Sequence, residues 1–204
     1  QKKMIPLQLL TSYDDAHRSE ILTVVQEAVD LGVPYIQFCW KGTDLETFTL
    51  AEKLKHIVSK SDSKLIVNNR LDIALAIEAD GLHVGQDDIP LPILTKLMPD
   101  NMQLGFTIST VEQLREAEQH HVDFYGIGPV FNTKTKPGAP LGIEKIKQFR
   151  TMTNRPIVAI GGINVDNAKS LFDIGVDGIA VIGSVYDSTD RQKTIKDLMR
   201  ISNG

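Results

Sequence analysis

Eight short apolar runs, each followed by a segment with helical spacing, recur along the chain and leave few folds open to it. They are IPLQLL (5–10), YIQFCW (35–40), LIVNN (65–69), GLHVG (81–85), QLGFTI (103–108), FYGIGPV (124–130), PIVAIGG (156–162) and GIAVIGSV (178–185). Several are apolar on both alternating sets of positions, as strands buried on both faces of a parallel sheet must be. Between the first two runs, Ile21, Val24, Val25, Ala28 and Val29 fall at i, i+3, i+4, i+7 and i+8, so all five are expected to face one core. Thr110 before VEQLREAEQ, with Glu112 and Gln113 in the first turn, and Asn164 before VDNAKSLFDIG are predicted helix entrances.

A weak internal echo accompanies this alternation. AVDLGVPYIQF, AIEADGLHVG, HHVDFYGIG and DIGVDGIAVIG each run from a helix end through an Asp or Gly turn into a strand, at a spacing of about two strand-helix units. Eight such units in 204 residues predict one α/β domain over residues 1–204, a compact (β/α)8 TIM barrel. A doubly wound open sheet would carry a GxGxxG turn near its first strand, and LLTSYDDAHRSE has none.

Composition narrows the function. The net charge is −4 and the basic residues are scattered, so nucleic acid is not an expected partner. Cys39 is the only cysteine, which excludes an internal disulfide and a multi-cysteine metal site and suits a reducing cytosol. The start QKKMIPLQLLTSYDD has too short an apolar stretch for a signal peptide, and no run approaches the roughly 18 apolar residues of a membrane span. A cytoplasmic protein without membrane partners is expected.

In a (β/α)8 barrel the chemistry gathers at the C-terminal ends of the strands. Those ends carry Gln37 and Lys41, then Asn68, Asn69 and Arg70, then Gln86, Asp87 and Asp88. Thr107 and Ser109 follow, and the sixth run opens into Thr133, Lys134, Thr135 and Lys136; Gly161, Gly162, Gly183 and Ser184 close the list. The polar loop NTKTKPGAP is read two ways. It is a solvated connection, or it is a phosphate grip in which lysine supplies charge, threonine supplies donors, and proline and glycine shape a close approach. The glycines after the seventh run serve either a sharp turn or backbone N–H contacts to phosphate. Asp87 and Asp88 suit a helix entrance or a metal. His83 is expected to be a hydrogen-bonded core histidine, His120 and His121 to sit at a helix end, and Cys39 to serve packing.

Taken in order, YIQFCWKGTD, LIVNNRLDIALAIEADGLHVGQDDIP, YGIGPVFNTKTKPGAP, PIVAIGGIN and GIAVIGSVY resemble the thiamine phosphate synthase superfamily, which also contains the thiazole tautomerase TenI. The resemblance covers nearly the whole chain. It implies an enzyme that joins hydroxymethylpyrimidine pyrophosphate to thiazole phosphate with Mg2+, pyrophosphate leaving first and the thiazole nitrogen attacking the resulting pyrimidine carbocation. It implies that Gln37, Lys41 and Asn68 hold the pyrimidine pyrophosphate, and that Asp88 and Asn69 hold Mg2+. Lys136 would lie on the leaving pyrophosphate, with Thr107 also at the reacting centre. Thr133, Thr135, Gly162 and the backbone at Ile182 and Gly183 would grip the thiazole phosphate. Small homo-oligomers are the family's habit.

The chain also departs from the family pattern. Cys39 in QFCWK stands where the family usually has arginine, and Asn69 in NNR where it usually has aspartate. Together these lower the expected affinity for pyrophosphate and metal, although an asparagine carbonyl can still serve Mg2+. Gly183 stands where a serine is common. The tautomerase alternative expects a histidine shortly after the fifth strand, where this chain has Ser109, a poor base without a partner. A barrel that binds a thiamine precursor without turnover is the third reading.

Overall fold

A computed structural model of the chain describes residues 5–12, 14–134 and 138–204. The strands β1 (Leu7–Leu10), β2 (Tyr35–Phe38), β3 (Lys64–Asn68), β4 (Gly81–Val84), β5 (Gln103–Ile108), β6 (Phe124–Ile127), β7 (Ile157–Ile160) and β8 (Gly178–Val181) pair in parallel with their neighbours in sequence. β8 also pairs with β1, so the sheet closes into a barrel. Around it lie α1 (Ile21–Asp30), α2 (Asp44–Val58), α3 (Leu71–Ala76), α4 (Leu91–Leu97), α5 (Val111–Ala117), α6 (Gly142–Met152), α7 (Ala168–Asp173), α8 (Gly183–Tyr186) and α9 (Arg191–Asn203). The expected (β/α)8 architecture is the one observed. Among the described residues no helix is long and apolar enough to cross a membrane.

Why the runs are apolar at consecutive positions follows from two packing layers. Leu7, Leu9, Ile36, Phe38, Leu65, Val67, Leu82, Val84 and Ile108 face outward, into one cluster with the helices. All five residues expected on the core face of α1 belong to that cluster. The alternate positions face the barrel interior, where Ile5, Leu10, Tyr35, Cys39, Ile66, Phe124, Val158 and Ala180 form a second, smaller cluster. Burying each of the larger side chains contributes about 1.5–3 kcal/mol before entropy is counted.

The internal echo has a structural cause. Asp80, Asp123 and Asp177 each stand just before an even-numbered strand and clamp the start of the strand before it. Each donates its backbone N–H to a carbonyl, of Leu65, Leu104 and Ile157 respectively, at 2.9, 2.8 and 2.9 Å. The carboxylate then accepts the N–H of that same residue, at 2.9, 2.8 and 2.9 Å. These clamps lie at the N-terminal end of the barrel, the end that serves stability.

Helix entrances follow the sequence, and one strand end does not. Thr110 caps α5 in a reciprocal box with Gln113, as predicted. Asn164 also caps the entrance to α7: its Oδ1 accepts the N–H groups of Asp166 and Asn167, its own N–H donates to Asn167 Oδ1, its carbonyl accepts from Ala168, and regular helix runs from Ala168. The eighth apolar run does not stay extended to its end. Ile182 leaves the strand path with φ −133° and ψ −83°, and Gly183 starts the short α8.

Candidate active site

The inward-facing register brings polar side chains together at the C-terminal end of the barrel. Asn68 on β3 is level with His83 on β4, His83 with Gly105 on β5, and Thr107 with Gly126 on β6. An inner cavity of about 270 Å³ opens there, lined by Gln8, Gln37, Asn68, His83, Thr107 and Thr133 among apolar residues including Leu10, Phe124 and Ile160. Asn68 Nδ2 donates to Gln37 Oε1 at 3.0 Å, and Gln37 Nε2 donates to Gln8 Oε1 at 2.9 Å. Three strands thus share one amide relay.

His83 is held by small neighbours. A Cβ at Gly105 would collide with its ring and with Phe124, and a Cβ at Gly126 would sit 2.7 Å from its Cε1. Its Nε2 lies 2.8 Å from Thr107 Oγ1, and burial pushes its pKa down to about 4. At neutral pH it is therefore an uncharged hydrogen-bonding group. Cys39 is buried on the same cavity wall, its Sγ 3.8 Å from Gln37 Oε1, and burial pushes the thiol up to about 12. It is neither a nucleophile nor a cation, in agreement with the packing role expected of it.

A wider cavity of about 980 Å³ adjoins the first and shares Thr133, Ile160, Gly161, Ala180 and Ile182 with it. Asn132, Thr133, Lys134, Gly162, Ile182, Gly183 and Ser184 lie on its wall. Gly161 and Gly162 adopt φ +100° and +67°, and side chains there would run into Pro129 and Phe131. The turn alone thus requires both glycines, and the same turn puts them on the cavity wall. The loop after β1 adds to the lining: His17 Nε2 meets Asp187 Oδ1 at 3.0 Å, and its ring packs on Tyr186. Next to it, Arg18 stacks 4.1 Å over Trp40 and donates to the Lys41 carbonyl at 2.6 Å.

Of the predicted site residues, the inner cavity gathers Gln37, Asn68, Thr107, Thr133 and Ile182, and the wider one gathers Thr133, Gly162, Ile182 and Gly183. Lys41, Asn69 and Asp88 stand on the loops after β2, β3 and β4, at the same barrel end but off both cavity walls. Thr135 and Lys136 lie outside the described residues. Arg70 is committed elsewhere, at 2.6 Å from Asp72 and 3.0 Å from Asp44, and these carboxylates hold its pKa above the usual range. Ser109 donates its N–H to Gln113 and lies on neither wall. Sequence reading passed over Gln8, and it placed His83 in the core without its cavity face. The available signal was a lone glutamine in LQLL, on the alternation that leaves Leu7 and Leu9 outside.

Magnesium is the one metal the resemblance implies. Among the described residues no group of three or more His, Cys, Asp or Glu could hold an ion. Mg2+ bound through a diphosphate, however, usually keeps several waters and takes only one or two protein oxygens. Asp88 suits that limited role: its Oδ2 accepts the Gly85 N–H at 2.7 Å, which fixes the carboxylate in the turn after β4. Asn69, with φ +64° at the end of β3, offers a neutral carbonyl oxygen.

A (β/α)8 barrel with paired cavities at the C-terminal ends of its strands defines a barrel enzyme of the kind that handles small ligands at that face. The chain belongs to the thiamine monophosphate synthase family, whose sequence profile matches residues 7–185. It is 38% identical over 198 residues to a thiamine-phosphate synthase of Syntrophomonas wolfei, covering 96% of this chain and 95% of that one. A thiamine-phosphate synthase of Prochlorococcus marinus is 37% identical over 193 residues, 94% of this chain but only 55% of that protein's length. The structure of a thiamine phosphate pyrophosphorylase from Pyrococcus furiosus superposes with a TM-score of 0.87 at 32% identity, over 98% of this chain and 96% of that one.

Proposed function

We propose that the chain is a transferase that condenses hydroxymethylpyrimidine pyrophosphate with thiazole phosphate, forming thiamine phosphate and releasing pyrophosphate. The observation that carries this reading is the pair of adjoining cavities sharing Thr133 and Ile182. The inner one, compact and lined by amides, suits a flat heteroaromatic ring. The outer one, walled by Thr133, Lys134 and the backbone at Gly162 and Gly183, suits a phosphorylated second substrate.

In this reading Gln37 and Asn68 hold the pyrimidine, and Lys41 and Lys136 take its pyrophosphate. Thr133, Thr135, Gly162, Ile182 and Gly183 hold the thiazole phosphate. Asp88 and Asn69 would hold Mg2+, which when bound neutralises charge on the departing diphosphate. In the same reading Lys136 would donate hydrogen bonds to the leaving group, and Thr107, whose hydroxyl lies 2.8 Å from His83 Nε2, would stand at the reacting centre. The neutral His83 and the un-ionised Cys39 suit a dissociative path, which needs leaving-group stabilisation and no strong base.

One observation favours the tautomerase as the second reading: His17, with Asp187 at 3.0 Å, lies on the outer cavity wall where a proton could be moved. The deciding experiment mixes the protein with both substrates and Mg2+ and assays thiamine phosphate and pyrophosphate. Product that requires all three additions supports the synthase. Isomerised thiazole phosphate without condensation would replace it with the tautomerase.

A further inference from the structure

The interior of a barrel strand is a costly place for an unpartnered amide. Gln8, in the first strand, is completely buried, and its Nε2 finds no hydrogen-bond partner among the described residues. Among the described residues its one side-chain hydrogen bond is the one it accepts at Oε1 from Gln37 Nε2, at 2.9 Å. An apolar residue of similar size would fill the same space without stranding a donor, so packing does not explain a glutamine here.

The effect of that single bond is on Gln37. A primary amide can be turned end for end with little change in shape, and the turn exchanges a donor for an acceptor. The nitrogen end of Gln37 faces Gln8 Oε1 on β1, and its oxygen end faces Asn68 Nδ2 at 3.0 Å and Cys39 Sγ at 3.8 Å. Gln37 Nε2 has a second hydrogen, and Gln37 lines the inner cavity. We propose that Gln8 is a positioning residue that sets the polarity of the Gln37 amide, so that the inner cavity offers a donor to an acceptor nitrogen of a bound heteroaromatic ring. This rests on the functional reading above, in which that ring is the pyrimidine. It adds a residue low on the same cavity wall whose part is played through Gln37.

The test is steady-state kinetics of the wild type, Gln8→Leu and Gln8→Glu, with each substrate varied in turn, together with their melting temperatures. Gln8→Leu removes the acceptor and is expected to raise KM for the pyrimidine pyrophosphate at least about tenfold. KM for thiazole phosphate should stay within about twofold, and the melting temperature should shift by no more than a few degrees, because the unpartnered Gln8 donor leaves with the side chain while Gln37 Nε2 loses its acceptor. Gln8→Glu keeps a carbonyl oxygen in either protonation state and is expected to restore the pyrimidine KM to within about threefold of the wild type. Should Gln8→Leu fail to fold, Gln8→Met is read in its place. A pyrimidine KM unchanged in the apolar variant overturns the inference, as does an equal rise in both KM values with a lowered melting temperature. If the wild type itself makes no product and binds no pyrimidine pyrophosphate by calorimetry, the functional reading falls and this inference falls with it.

Discussion

Lys136 and the two departures from the family pattern put the proposed chemistry at stake residue by residue. Replacing Lys136 by alanine is expected to lower kcat/KM about a hundredfold, as loss of one charged donor to a leaving group does, without moving the melting temperature. Unchanged turnover would remove that lysine from the mechanism. Cys39→Arg with Asn69→Asp is expected to raise pyrophosphate affinity in the presence of Mg2+, measured by calorimetry. Because Cys39 is buried in the inner cluster, the same double variant should melt lower by a few degrees. Residues at the last inward position of a strand, such as Asn68 and Thr107, were legible in the sequence because that position points into the cavity. Gln8 was not: a polar residue low in a strand becomes meaningful only when Gln37 lies against it, and that neighbour is 29 residues away.

Elements are held at their starts by local chemistry that the sequence displays unevenly. The three aspartates at the N-terminal end of the barrel formed a visible echo, but their purpose depends on pairing with a strand that precedes each of them. Asp123→Ala is expected to destabilise the fold by about 2 kcal/mol, since it strands the Leu104 N–H, while kcat stays the same at the opposite end of the barrel. Asp177→Ala should cost more, because Arg150 also loses its partner at 2.7 Å. Chemical denaturation of the two variants against the wild type checks both. Thr110 and Asn164 were readable as caps because their partners, Gln113 and Asn167, are three residues on.

Over the whole molecule, the buried His83 couples stability to pH. Its folded pKa, about 4, lies below the ordinary 6.5, so between those values the unfolded chain binds more protons than the folded one. Stability is therefore complete above pH 6.5 and is lost as pH falls toward 4, by up to about 3 kcal/mol. His83→Gln is expected to remove that slope; urea midpoints of both proteins from pH 4 to 7 measure it, and parallel curves would refute it. Sequence alone determined the barrel, because an alternation of strands buried on both faces with amphipathic helices admits few closed arrangements. It also determined most of the residues at the ligand face, because strand ends are marked by the change from apolar to polar side chains. Tertiary structure decided which of those residues share a cavity, how Gln8, Gln37 and Asn68 join in one relay, and that His83 is neutral. Those properties arise from register between strands and from exclusion of water, and neither is a property of any one stretch of chain.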